Sequence, residues 1–120
     1  MGGSLTLRVR CRPESLSQVR HALARLELDE TTSAAVAIVA NELVGNSVRH
    51  SDLSQDGEIE IVVQRVADCI RIDVRDCGTG LTMPRQGEGG RGLPIVQQLS
   101  SRFGISRDQH THAWAEIEIG

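Results

Sequence analysis

The 120-residue sequence predicts a two-layer α/β (α+β) sandwich, with helices on one face of a mixed, mostly antiparallel sheet. Three observations lead there. Some segments alternate apolar and polar residues with period 2, others repeat apolar residues at helical spacing, and their order along the chain is βααββαββ. A chain of this length buries roughly two-thirds of its unfolded surface without disulfides or a structural metal, so residues 1–120 read as one domain.

Leu5, Leu7, Val9 and Cys11 alternate with Thr6, Arg8 and Arg10, which predicts a half-buried strand over residues 5–11. Pro13 suits a first helical position, and Leu16, Val19, Leu23 and Leu26 carry a helix up to an acidic turn at Asp29. A second helix starts within residues 29–32, where several side chains could cap it, and runs to about His50. Its first half is apolar nearly all round, which predicts burial. Strands follow over Glu58–Val66 and Cys69–Asp76, joined tightly through Ala67 and Asp68 as a hairpin. In the latter, Ile70, Ile72 and Val74 take one face while Arg71, Asp73 and Arg75 take the other, so one buried face is expected. Residues 81–89 read as a loop, and a third helix begins around Gly92, with Pro94 in its first turn and Leu93, Val96 and Leu99 on its apolar stripe. Strands over Arg102–Arg107 and residues 112–119 close the chain.

Composition removes whole classes of function. All thirteen basic residues are arginine. Without lysine there is no Walker A phosphate loop, no pyridoxal Schiff base and no eukaryotic-type protein kinase lysine. A net charge of -3, with Phe103 and Trp114 as the aromatic residues, argues against direct nucleic-acid binding. The apolar run over residues 34–40 is far too short to span a bilayer, so no membrane association is expected. Cys11, Cys69 and Cys77 are odd in number and form no C-x-x-C pair, which argues against zinc and for a reducing, cytoplasmic location.

Polar residues cluster in three places. At about 100° per residue, Glu42, Asn46, Arg49 and His50 fall on one strip late in the second helix, while Leu43, Val44 and Val48 point elsewhere. The strand ending at Asp76 runs into Cys77-Gly78-Thr79-Gly80, where glycines let the backbone approach a ligand and a carboxylate can accept from an exocyclic amine. This is not a dinucleotide fingerprint, because Met83 stands where a third glycine would be. Gly89-Gly90-Arg91-Gly92 precedes the third helix, where free N–H groups and arginine favour phosphate.

In this order the segments resemble the motifs of the gyrase, Hsp90, histidine kinase and MutL (GHKL) superfamily of ATPases. Glu42-Leu43-Val44-Gly45-Asn46-Ser47-Val48-Arg49-His50 resembles its N box, Asp76-Cys77-Gly78-Thr79-Gly80 its first glycine box, and Gly90-Arg91-Gly92-Leu93-Pro94-Ile95-Val96 its second. The resemblance spans nearly the whole chain and implies the histidine kinase-like, or Bergerat, fold. The N box with glutamate followed by Arg-His, and the absence of residues for a dimerisation helix pair or transducer domain, are most similar to the stand-alone serine kinases of bacterial anti-sigma factors.

The resemblance implies ATP and Mg²⁺ as cofactors. It implies Glu42 as general base, Asn46 as Mg²⁺ ligand, Asp76 at the adenine amine, and Gly78 and Gly80 making room for the ring. Arg49, His50, Gly90, Arg91, Gly92 and Leu93 would lie near the phosphates. Implied partners are a sigma factor and an anti-anti-sigma protein whose Ser or Thr is phosphorylated, with a homodimer as the common assembly. The chain departs from the pattern at His110-Thr111-His112-Ala113, before Trp114, where one phosphate interaction of the family is expected to be missing. Two alternatives stay open: a non-catalytic, nucleotide-dependent protein-binding module, and the detached catalytic domain of a sensor histidine kinase.

Overall fold

The computed structural model describes residues 4–50, 57–76, 93–107 and 111–119. The elements run β1 (Ser4–Arg10), α1 (Ser15–Leu23), α2 (Glu30–His50), β2 (Glu58–Val66), β3 (Cys69–Asp76), α3 (Leu93–Leu99), β4 (Arg102–Arg107) and β5 (Thr111–Glu118). The strands form a five-stranded sheet in the order β1-β2-β3-β5-β4. The sequence left room for a parallel pair, but all four described pairings are antiparallel.

The three described helices pack on one face of this sheet, α1 beside β1, α2 over β2, β3 and β5, and α3 beside β4. The period-2 alternation supplies the apolar face they cover. Ile59, Ile61, Ile72, Val74 and Ala115 are sealed against Val39, Leu43, Val44 and Val96. Each fully buried aliphatic side chain of this size contributes roughly 1.5–3 kcal/mol relative to exposure.

Local chemistry explains the start of α2 and the turn between β2 and β3. Asp29 caps α2: its Oδ2 accepts from the Thr32 N–H at 3.2 Å and its carbonyl from Ser33 N–H at 2.8 Å. The Thr32 side-chain and backbone donors hold the Asp29 carboxyl below the usual range. The β2–β3 hairpin turns through Ala67, whose φ of 54° lies in the left-handed region.

The start of α1 differs from the sequence reading. Pro13 lies in a turn before the helix, because the N–H groups of Ser15, Leu16 and Ser17 reach carbonyls only three residues back. Leu26 lies beyond the end of α1 yet still packs against the core. Nor is α2 enclosed on all sides, since Ile38 is 44% exposed. The open side of α2 is the side that carries its polar strip.

Candidate nucleotide site

α2, which carries the polar strip, packs on β3, which ends at Asp76, and against α3, which opens at Leu93. Asp76 continues the inward series Ile70, Ile72 and Val74, pairs with buried Ile59, and is only 4% exposed. The carboxylate therefore points to the helix side of the sheet, whereas Asp73 points to the other side. Burying a carboxylate is costly unless it is engaged, and Asp76 does have interaction partners. Its negative charge reaches Cys11, which directly follows β1: burial first, and Asp76 second, push the Cys11 thiol above its ordinary pKa. Cys11 is thus a neutral, weakly nucleophilic group within the electrostatic reach of Asp76.

The strip on α2 holds unused chemistry. Asn46 is half-buried, and its Oδ1 is sealed from solvent with no hydrogen-bond partner; Asn41 Oδ1 is in the same state. A buried acceptor without a donor costs about 1–3 kcal/mol, so a helix retains one where something else fills the gap. Glu42, one turn before Asn46, is half-buried and has no ion-pair or hydrogen-bond partner among the described residues. Arg49 is exposed and is likewise unpaired among the described residues. A carboxylate, an amide oxygen and a guanidinium thus share one helix face without neutralising each other.

The orphaned amide oxygen suits a hard divalent cation. Mg²⁺ takes oxygen ligands and keeps several waters, so one amide oxygen plus ligand oxygens is enough. Gly78, Gly80, Gly90, Arg91 and Gly92, and the side chains of His50 and Leu93, lie outside the described residues. The backbone of Leu93 opens α3. No group of three or more His, Cys, Asp and Glu residues that could hold a metal occurs among the described residues. His112 faces away from α2, with its Nε2 2.7 Å from Asp73 Oδ1 on the opposite side of the sheet.

The model of the histidine kinase-like ATPase domain matches residues 9–116. The chain belongs to the histidine kinase-like ATPase family. It is accordingly a GHKL-type ATP-binding fold, with Asp76 and the α2 strip inside the matched span. Its fold is similar to the crystal structure of the RsbU and RsbW domains of Rv1364c from Mycobacterium tuberculosis, with a TM-score of 0.76 and 21% identity. The likeness covers 97% of this chain and 32% of that one. No curated protein matches the chain in sequence. Among the described residues, no helix is long and apolar enough to cross a membrane.

Two features of this candidate site escaped sequence reasoning. The approach of Cys11 to Asp76 joins residues far apart in the chain, and strand alternation alone gives only their shared face. The second is Gly45, which the helix pattern passes over as a small residue; its proximity to Arg49 at i,i+4 was the available signal.

Proposed function

We propose that this ATPase-family chain is a Mg-ATP-dependent protein serine/threonine kinase of the anti-sigma type, which holds a sigma factor and phosphorylates its antagonist. The observation that carries the reading is the unpartnered, buried Asn46 Oδ1, flanked on one face of α2 by Glu42 and Arg49, both unpaired among the described residues. Asn46 would hold Mg²⁺ through that oxygen. Bound Mg²⁺ supplies charge neutralisation across the phosphate oxygens. Glu42 accepts the proton of the attacking Ser or Thr hydroxyl. Arg49 grips phosphate with paired N–H donors, a task for which arginine replaces the missing lysine. Asp76 accepts from the adenine amine, and a guanine carbonyl at that place would set acceptor against acceptor. Phosphoryl transfer asks mainly for such positioning and charge, not for covalent help from the protein.

The choice of the anti-sigma branch rests on the N box ending in Arg49-His50 and on the fold likeness to a structure containing an RsbW domain. A second reading, a nucleotide-dependent binding module without turnover, is favoured by His112, which is committed to Asp73 on the far side of the sheet.

Calorimetric titration of ATP and ADP with Mg²⁺, repeated with EDTA and with Asn46→Ala, tests the site. Magnesium-linked binding that the variant loses is the expected result. Equal binding with EDTA, or in Asn46→Ala, would remove Asn46 from the metal site. Bound ATP with no transfer to any Ser or Thr of an anti-anti-sigma protein would leave the binding module.

A further inference from the structure

Gly45 stands in the interior of α2, where glycine costs about 1 kcal/mol relative to alanine. It has no positive φ that would call for glycine. The reason for it is space. A Cβ at Gly45 would lie 3.1 Å from Arg49 Nη1 and 3.9 Å from Cζ, and no other described side chain comes within 4 Å. The guanidinium of Arg49 is therefore folded back one turn onto the bare backbone of Gly45, which is buried while Arg49 itself remains exposed.

An exposed, unpaired arginine ordinarily extends into water, where it keeps rotamer freedom and hydration. Arg49 instead lies against the helix with no acidic partner among the described residues, not even Glu42 two turns earlier. Its guanidinium rests one turn back over Gly45, on the helix that also carries Glu42 and Asn46, and has no protein partner among the described residues. This arrangement prepares a site for an anion whose own charges are spread over several oxygens, and it avoids part of the ordering cost at the moment of binding.

We propose that Gly45 is a positioning residue: its missing side chain seats the Arg49 guanidinium on α2, where it receives the phosphate chain of the nucleotide. The role of Arg49 rests on the nucleotide reading above, while the seat is a property of the helix itself. A methyl group at residue 45 requires the guanidinium to give by a few tenths of an ångström, and valine occupies its place. Because the displaced atoms are the free end of a flexible side chain, Gly45→Ala does not obstruct folding, and the melting temperature is the check on Gly45→Val.

The test is calorimetry with Mg-ATP and with Mg-tripolyphosphate on the full chain, using Gly45→Ala, Gly45→Val, Arg49→Ala and the double variants, with melting temperatures alongside. Expected is a loss of about tenfold for Arg49→Ala, the scale of a charge-assisted hydrogen bond, and a graded loss from Gly45→Ala to Gly45→Val. In the Arg49→Ala background, substitution of Gly45 should change nothing further. Gly45→Ala should melt no lower than the parent, since alanine is the better helix former. Unchanged affinity in Gly45→Val, or an equal loss with and without Arg49, overturns the seat. ATP binding indifferent to Arg49 also overturns it and leaves the nucleotide reading standing. Tripolyphosphate binding that depends on both residues, without ATP binding, keeps the seat and refutes the nucleotide reading. Binding of neither ligand refutes both.

Discussion

The indole of Trp114 fills the space in which Gly104, its partner across the β4–β5 ladder, would otherwise carry a side chain. A Cβ there would fall 2.8 Å from Nε1 and 2.9 Å from Cε2. The ring is itself held, with Arg71 Cζ 4.5 Å and Arg102 Cζ 5.7 Å from its centroid, and Arg71 Nη1 bonded to Glu116 Oε2 at 3.1 Å. Unlike the seat at Gly45, this one is occupied by a rigid ring that cannot swing aside alone. Gly104→Ala is expected to destabilise the fold by about 1–3 kcal/mol, measured by urea unfolding. A change within error would mean that the ring moves freely.

Asp73 sets a pH dependence of stability on the same face. Burial alone would raise its pKa, but hydrogen bonds and charge from Arg71 and His112 outweigh this and hold it below the ordinary carboxylate range. The unfolded chain therefore takes up the proton first, so this contribution is present above the ordinary carboxylate pKa and is lost as pH falls through the folded value. Asp73→Asn should cost about 1–3 kcal/mol at neutral pH, and the gap to the parent should close on acidification below roughly pH 4. Parallel stability curves down to about pH 2 would contradict the assignment.

The hairpin turn offers a stabilising change. Ala67 is exposed and adopts φ 54°, a conformation that costs a non-glycine residue roughly 1–2 kcal/mol. Glycine removes that cost but has more backbone entropy to lose, leaving an expected net gain of about 0.5–1 kcal/mol for Ala67→Gly. Thermal melting reads this as a rise of a few degrees; a fall would mean that the turn is held by something other than its φ.

For the proposed activity, Glu42→Ala separates binding from chemistry. Removal of a general base costs on the order of 10²–10⁴ in rate, with nucleotide affinity nearly intact. Single-turnover transfer to an anti-anti-sigma protein, followed with labelled ATP, measures it. An undiminished rate would exclude Glu42 as the base.

Asp76→Asn tests base recognition independently of the phosphates. Replacing one carboxylate oxygen with an amide should weaken ATP while leaving tripolyphosphate untouched, since the hydrogen bond it removes is the one from the adenine amine. Competition calorimetry with both ligands is the measurement. Equal weakening of the two would place Asp76 elsewhere in the site.

The order of elements, the inward set Ile70, Ile72 and Val74, and the strip Glu42, Asn46 and Arg49 were legible in the sequence because strand and helix periods depend only on local spacing. The motifs that carry the ATPase resemblance are equally local. Tertiary structure alone decided what the outward face of β3 became. By local pattern Arg71, Asp73 and Arg75 are a solvated edge, yet the register sets Asp73 opposite Trp114 and Arg71 opposite Glu116, leaving Asp73 only 8% exposed. A single sequence carries no register between strands separated by a helix. The antiparallel pairing, the approach of Asp76 to Cys11 and the laying of Arg49 over Gly45 have the same origin: each depends on which surfaces meet and which rotamer survives packing.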